Sequence, residues 1–180
     1  MTNHDIDSSK PRRFGIYTFI IGILLILLGS AGVFIPRAMS LVTEIWIAWL
    51  FLIGGVFWAY HTYKSNPGSF MDWLKPLLLI ISGGLMLFYP MPGIAAVGLV
   101  LSVYLLLDAF GSFALAHALY PSKGWGSMTA NGVMSLLLAI LFLIGWPATS
   151  LWLVGLFVGI SLFFDGWALL MVGWALKKSS

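Results

Sequence analysis

Long stretches without a charged residue set the strongest limit on the folds open to this chain. Such stretches cover 23 positions at 14–36, 19 at 45–63, 32 at 76–107 and 41 at 124–164. A helix needs about 20 apolar residues to cross the hydrocarbon core of a bilayer, and only helices or closed barrels satisfy their backbone polar groups there. Because the apolar runs are continuous and do not alternate with polar residues, they predict membrane-spanning helices.

Turn signals divide the long runs. Pro90 to Gly93 splits one of them, and Trp146 to Thr149 splits the longest. The sequence therefore predicts an all-α membrane protein with six transmembrane helices in residues 14–176, between a disordered cytoplasmic tail at 1–13 and a basic cytoplasmic end at 177–180. The predicted helices lie at 14–35, 41–61, 71–89, 94–119, 127–145 and 149–176.

Composition excludes several classes of protein. Apolar residues make up 61% of the chain and charged residues 8%, against roughly 25% charged residues in a soluble domain. The absence of cysteine removes disulfides, thiolate nucleophiles and cysteine metal sites. The net charge of +3 is dispersed along the chain, so we predict no nucleic-acid partner. The lipid bilayer is the predicted partner, and no cofactor is expected.

The positive residues predict an orientation. Six spans place both termini on one side of the membrane, together with the loops near 61–75 and 120–126. That side carries eight of the nine Lys and Arg residues, and Arg37 alone lies opposite. Because Lys and Arg concentrate on the cytoplasmic side, both termini are expected to be cytoplasmic. The eight residues are Lys10, Arg12, Arg13, Lys64, Lys75, Lys123, Lys177 and Lys178.

Three prolines mark an internal repeat. Pro36, Pro90 and Pro147 stand at the predicted hairpin turns, and the second interval is three residues longer than the first. Eighteen residues after each proline come Gly54, Asp108 and Asp165. This spacing indicates one helical hairpin used three times, at about 14–61, 71–119 and 127–176. The third copy has Ile140 where the others have glycine, so its helix packing is expected to differ.

Small residues recur inside the predicted helices, as in Gly29-x-x-Gly32 and Gly155-x-x-x-Gly159. Glycine in a membrane helix allows another backbone to approach closely. Packing within the bundle is the simpler interpretation, and a contact between the subunits of a homo-oligomer is the alternative. The predicted helix-packing residues are Gly29, Gly32, Gly54, Gly55, Gly83, Gly84, Gly155 and Gly159.

The chain resembles the HdeD family of small bacterial inner-membrane proteins associated with acid resistance. The resemblance rests on six spans in 180 residues and on hairpins in which Gly29 precedes Pro36, and Gly83 precedes Pro90, by seven residues. The following span then ends with Gly54-Gly55, Asp108-Ala109 or Asp165-Gly166. The resemblance covers residues 14–176 and implies a multi-pass protein of the bacterial inner (cytoplasmic) membrane with a role in acid-stress tolerance. It supplies no catalytic residues.

Asp108 and Asp165 are the most informative residues, because both fall inside predicted spans. An acid at depth costs roughly 2.5–3.5 kcal/mol on insertion scales, so an interior position is expected for each. One hypothesis makes them a protonatable pair along a path for protons or a small solute. The other makes them structural, with hydrogen bonds to neighbours such as Ser112 or Ser161.

Other polar residues suggest weaker candidates. His61 and His117 lie at the cytoplasmic ends of predicted spans, where histidine can respond to acid pH; the simpler interpretation makes them polar residues of the membrane interface. Glu44 and Arg37 are interpreted as solvated charges at the outer boundary, seven residues apart on one helix. The remaining hydroxyl and amide residues look scattered, and they include Ser82, Ser102, Asn131, Ser135 and Ser161.

No metal-ligand spacing and no base beside a nucleophile is evident. The sequence thus predicts a non-enzymatic membrane protein that contributes to acid-stress tolerance by membrane protection or by assembly. A small proton-linked channel or transporter that uses the two aspartates is the alternative.

Overall fold

The computed structural model describes residues 9–65 and 68–178, and the side chains of 15–65 and 68–176. All regular elements in these ranges are α-helices, and all six contain a segment long and apolar enough to cross a membrane. The prediction of an all-helical chain with six helices able to cross a membrane is therefore confirmed for the described residues. The helices are α1 (Ser9–Phe34), α2 (Pro36–Ser65), α3 (Phe70–Phe88), α4 (Pro90–Leu119), α5 (Trp125–Leu143) and α6 (Ser150–Lys178).

Several helix ends differ from the predicted ones. Helix α1 begins at Ser9, so the last part of the segment predicted to be a disordered tail is helical, and residues 1–8 lie outside the described range. Helices α2 and α4 begin at Pro36 and Pro90, four to five residues early. Proline is favoured in the first turn of a helix, because its fixed φ suits the helix and its missing N–H has no partner there anyway.

The first two hairpin turns are copies of one another. A single residue separates the helices, Ile35 in one turn and Tyr89 in the other. The Ile35 N–H donates to the Ala31 carbonyl at 2.9 Å. In the second turn the equivalent Tyr89 N–H donates to the Leu85 carbonyl at 2.8 Å. The repeat visible in the sequence is thus a repeat of backbone hydrogen bonding.

The third turn is longer than the first two, and it accounts for one of the three extra residues in the second proline interval. Six residues, 144–149, separate α5 from α6, and Gly145 adopts a φ of 105° that other residues rarely tolerate. The Thr149 N–H closes the turn by donating to the Gly145 carbonyl at 3.1 Å. The prolines Pro36 and Pro90 therefore begin helices, whereas Pro147 lies inside a loop.

The chain divides into two compact units, one made of residues up to 39 and from 155 onward, and the other of residues 40–154. The first unit contains α1 and most of α6. Glycines spaced by seven residues line α1 at Gly15, Gly22 and Gly29, and all three are buried. A Cβ at Gly22 would lie 2.9 Å from the Gly166 carbonyl oxygen, and one at Gly29 would lie 2.7 Å from that of Gly159.

The glycines on α6 follow the same spacing in the opposite direction. A Cβ at Gly173 would lie 3.0 Å from the Gly15 carbonyl oxygen, so Gly15, Gly22 and Gly29 face Gly173, Gly166 and Gly159. We call these six glycines the α1–α6 seam. Residues seven apart lie on one face of a helix after two turns, and at ~1.5 Å per residue the seam runs for about 21 Å. Small side chains thus allow the two backbones to touch along most of a span.

The second unit uses the same spacing with other small residues. On α2 the buried residues Ala48, Gly55 and Thr62 are seven apart, and a Cβ at Gly83 of α3 would lie 2.8 Å from the Ala48 carbonyl oxygen. On α4 a buried row with the same period faces α5, and it consists of Ala95, Ser102, Ala109 and Ala116.

The third repeat keeps a small residue at its helix contact, contrary to the expectation from Ile140. Ala139 is fully buried, whereas Ile140 is 40% exposed. A Cβ at Gly132, seven residues before Ala139, would lie 3.2 Å from the Ala109 carbonyl oxygen. The equivalent of Gly83 is therefore Ala139. Gly83 precedes Pro90 by seven residues and Ala139 precedes Pro147 by eight, and this one extra residue lies in the longer turn.

Candidate intramembrane polar site

Asp108 sits in a group of hydrogen-bonded polar side chains between α4 and α5. The Ser135 hydroxyl donates to Oδ2 of Asp108 at 2.6 Å. The Asn131 amide donates to the same oxygen at 3.2 Å and to the Ser112 hydroxyl at 2.8 Å. Asp108, Ser112, Asn131 and Ser135, which we call the Asp108 cluster, join the two helices through side chains.

Asp108 lies within α4, towards its C-terminal end. Asp108 follows Pro90, the first residue of α4, by five helical turns, which at ~5.4 Å per turn corresponds to about 27 Å along the helix. Asn131 and Ser135, which looked scattered in the sequence, are one helical turn apart and face Asp108 together. A carboxylate that accepts two hydrogen bonds from the next helix is held in place by them.

Asp165 has a different environment, and the expectation of an interior position is wrong for it. Its side chain is exposed, although it lies near the middle of α6. The two aspartates are equivalent in the repeat, but they belong to different compact units. One is tied to a neighbouring helix, and the other is open on the surface of its unit.

The burial of Glu44 contradicts a second interpretation made from the sequence. It was expected to be a solvated boundary charge, yet it is 1% exposed, and neither of its carboxyl oxygens has a hydrogen-bond partner. The proposed contact with Arg37 is therefore not formed, and Arg37 is exposed. The sequence signal for this position was weak, because a single acid near a span end usually reaches the polar headgroups.

Ser150 is a second buried polar residue of this kind. It is fully buried, and its hydroxyl has no hydrogen-bond partner. The Ser150 side chain rests on Gly98 of α4, where a Cβ would clash with its hydroxyl. Among the described side chains, Glu44 and Ser150 are the buried ones whose polar atoms have no partner.

His61 and His117 are both exposed, near the C-terminal ends of α2 and α4. His61 lies beside Trp58, with ring centroids 5.9 Å apart. It also lines a pocket of about 220 Å³ with Trp58, Thr62, Ser65 and Asp72. Lys75 lies 3.5 Å from the centroid of the Trp58 ring. The pocket therefore brings one predicted pH-responsive residue, His61, together with one acid, Asp72.

The predicted helix-packing glycines divide into two groups. Gly29, Gly32, Gly55, Gly83 and Gly159 approach other helices or side chains so closely that a Cβ would have a heavy atom within 3.0 Å, and Gly155 is buried. Gly54 and Gly84 have no such neighbour within 4 Å, so the structure gives them no close contact within the chain, and the alternative of a contact between subunits stays a prediction.

Residues Gly15, Gly22, Gly166 and Gly173 of the seam were missed. A search for glycine every seven residues in the first and last helices would have found them, whereas a search for spacings of three and four could not.

The described residues contain no group of three His, Cys, Asp or Glu side chains arranged to hold a metal ion.

Comparison with known proteins supports the repeat. A family described as a short repeat of unknown function (DUF308) matches residues 20–78 and 75–144. These two matches cover most of the first and second hairpins and extend through α5. No curated protein and no solved structure matches the chain.

Proposed function

Since the chain belongs to the DUF308 short-repeat family, the family of HdeD-like proteins, we propose that it is a non-enzymatic, multi-pass membrane protein that contributes to acid-stress tolerance. It acts through its helical assembly in the membrane and not through a chemical reaction. The bacterial inner membrane is its proposed location, with both termini in the cytoplasm.

The Asp108 cluster is the observation that carries this proposal. A carboxylate inside a span accepts hydrogen bonds from Ser135 and Asn131, so its polar atoms are used to join α4 to α5. This is the arrangement expected of an acid with a structural role. The resemblance to the HdeD family adds the acid-stress context.

The test is acid survival of a bacterial strain that lacks its own copy of the protein. Survival is compared for cells that make the wild type and the double variant Asp108→Asn, Asp165→Asn at equal membrane levels. Asparagine can still accept a hydrogen bond from Ser135, so the helix contact is largely kept while the titratable groups are removed. We expect the double variant to protect as well as the wild type.

A packing variant supplies the opposite control. Gly29→Val forces a side chain between the backbones of α1 and α6, and it should abolish protection even at equal protein level. If the double aspartate variant abolished protection while it remained folded, the structural role would be refuted. If the wild-type protein gave no protection, the acid-stress role itself would be wrong.

A small proton-linked channel or transporter is the second candidate. The exposed position of Asp165 within a span favours it, because an acid at depth is costly and usually marks an ion pathway. Purified protein in sealed vesicles, loaded with a pH-sensitive dye, tests it directly. Proton flux that is lost in Asp165→Asn and retained in Gly54→Ala would support transport, and no flux above empty vesicles would exclude it.

The proposed orientation rests on the distribution of Lys and Arg. The chain has no cysteine, so single cysteines can be added without removing native ones. Ser122→Cys and Ala38→Cys change exposed residues near opposite ends of helices and leave every positive charge in place. A thiol reagent that cannot cross the membrane should label only Ala38→Cys in intact cells, and the reverse result would invert the orientation.

A homo-oligomer is also proposed, and cross-linking in native membranes tests it. The seam glycines contact one another within the chain. An interface between copies must therefore use other surfaces, such as the outward faces of the spans.

A further inference from the structure

The carboxyl group of Glu44 stands out from every other acid in the described part of the chain. It is 1% exposed, and neither oxygen has a hydrogen-bond partner. Asp108 accepts two hydrogen bonds, and Asp72 and Asp165 are exposed. An ionised carboxylate without a counter-charge is highly unfavourable in an apolar interior, so something must neutralise Glu44.

The protein provides a fitted place for this side chain. Glu44 lies against Gly93 of α4, where a Cβ would come within 2.5 Å of Oε1. Any residue other than glycine at 93 would therefore displace the carboxyl group. Five residues further along α4, Gly98 receives the Ser150 hydroxyl in the same manner, and that hydroxyl also has no partner.

The repeat itself does not require an acid at this position. When the three repeats are aligned on their prolines, the equivalents of Glu44 are Gly98 and Gly155, and both are buried. Glycine therefore satisfies the helix packing in two of the three repeats. The carboxyl group of the first repeat is an addition to that packing, and it needs a separate explanation.

No charged group on the helices that carry Glu44 and Gly93 bonds to it. On α2, Arg37 is seven residues before Glu44 and exposed. On α4, Tyr89 is exposed at the start of the helix, and Asp108 is bonded to Ser135. His61 and His117 are exposed near the far ends of α2 and α4. The group that neutralises Glu44 is thus not one of these side chains.

We propose that Glu44 is a binding site for one monovalent cation, either a proton or a sodium ion, held against Gly93 within the helix packing. The carboxyl group supplies the negative charge, and both of its oxygens are without a hydrogen-bond partner. The residues around this stretch of α4 are apolar and nearly fully buried, and they include Ile94, Phe142 and Val154. No described side chain bonds to either oxygen of Glu44, so a bound cation is the proposed source of positive charge.

Infrared difference spectroscopy of the purified protein in bilayers tests this site, independently of any acid-stress role. A neutral carboxylic acid and an ionised carboxylate absorb in separate regions. Subtraction of the spectrum of Glu44→Gln therefore isolates the signal of this residue. Glutamine has nearly the same shape and carries no charge, so the variant is expected to fold.

The two cations give different results. If a proton is bound, the neutral-acid band of Glu44 is present near neutral pH, and replacing potassium with sodium at the same ionic strength leaves it unchanged. If sodium is bound, the band is present in potassium buffer and is lost when sodium is added. An ionised Glu44 in potassium buffer whose spectrum sodium does not alter would overturn the proposal.

Two further variants locate the site. Gly93→Ala should displace the carboxyl group and remove or shift the Glu44 band, whereas Gly54→Ala has no neighbour within 4 Å and should leave it unchanged. A Glu44 band unchanged in Gly93→Ala would show that the carboxyl group does not occupy the described position, and it would contradict the proposal.

Discussion

The α1–α6 seam and the α4–α5 contact join antiparallel helices in two different ways. In the seam, glycine faces glycine, and the nearest atoms belong to the backbone. A Cβ at Gly29 would lie 2.5 Å from the Phe163 nitrogen. Between α4 and α5, alanine and serine line the contact, and the hydrogen bonds of Asp108 add to it. Backbone atoms can move aside only if a whole helix shifts, whereas side chains can rotate, so the seam should tolerate substitution far less.

The largest effect is expected for Gly29→Ala. The new methyl group would meet the backbone of Phe163 and the Gly159 carbonyl at 2.5 and 2.7 Å, and the two helices would have to separate. We expect a loss of about 3 kcal/mol in the free energy of unfolding, the upper part of the range for overpacking. Reversible unfolding in mixed micelles measures this loss.

Gly54→Ala is the matched control, because a Cβ there has no heavy atom of another element within 4 Å. Its effect should stay within about 0.5 kcal/mol. Equal destabilisation by Gly29→Ala and Gly54→Ala would show that close backbone contact does not make the seam sensitive to substitution. It would contradict the proposed difference between the seam and the α4–α5 contact.

A smaller effect is expected for Gly132→Ala at the α4–α5 contact. The nearest atoms are those of the Phe113 ring, at 2.8 and 2.9 Å, and the ring can turn away. The loss should be about 1 kcal/mol, the lower part of the same range. In a Phe113→Leu background the substitution should cost less, and a cost unchanged by Phe113→Leu would place the clash in the backbone instead.

The hydrogen bond between Asp108 and Ser135 should be weaker still. A double-mutant cycle with Asp108→Asn and Ser135→Ala is expected to give a coupling of about 0.6 kcal/mol, the average for polar contacts between membrane helices. Thr129 donates to the Trp125 carbonyl of its own helix, so a cycle that pairs Asp108→Asn with Thr129→Ala should give no coupling. Comparable values in both cycles would mean that Ser135 has no direct bond to Asp108.

The smallest effect is expected at the start of the third turn. The Trp146 indole donates to the Ala95 carbonyl at 2.9 Å, and Trp146→Phe removes this neutral hydrogen bond while it keeps an aromatic ring. Because Trp146 is 45% exposed, we expect a loss of about 0.5 kcal/mol. Trp152→Phe, at a residue with similar exposure, serves as the comparison and should be nearly neutral. A larger loss for Trp152→Phe would rule out the hydrogen bond as the cause.

Much of the fold could be predicted because its cause is local. Apolar runs predict spans wherever they occur, and Pro36 and Pro90 mark the turns through their own backbone restrictions. The third repeat was misread because proline spacing was used to align α5, although the extra residue lies in the turn that contains Gly145. Counting back from Pro147 therefore placed Ile140, and not Ala139, at the helix contact.

The polar residues were harder to predict, because their environment depends on the partner helix. Asp108 and Asp165 occupy equivalent positions in the repeat, yet Ser135 and Asn131 bond to Asp108, whereas Asp165 is exposed. Glu44 lies near a span end, where a charged side chain ordinarily reaches water. Its burial follows from the space left by Gly93, which belongs to a different hairpin of the chain.

Hydropathy, segment length and proline were enough to establish a repeated set of six helices able to cross a membrane, because each of these properties acts through its own segment alone. Which small residues meet, and which acids are covered, became known only from the packed helices. Those outcomes depend on the register of one helix against another, and a shift of a single residue turns a different side chain towards the contact.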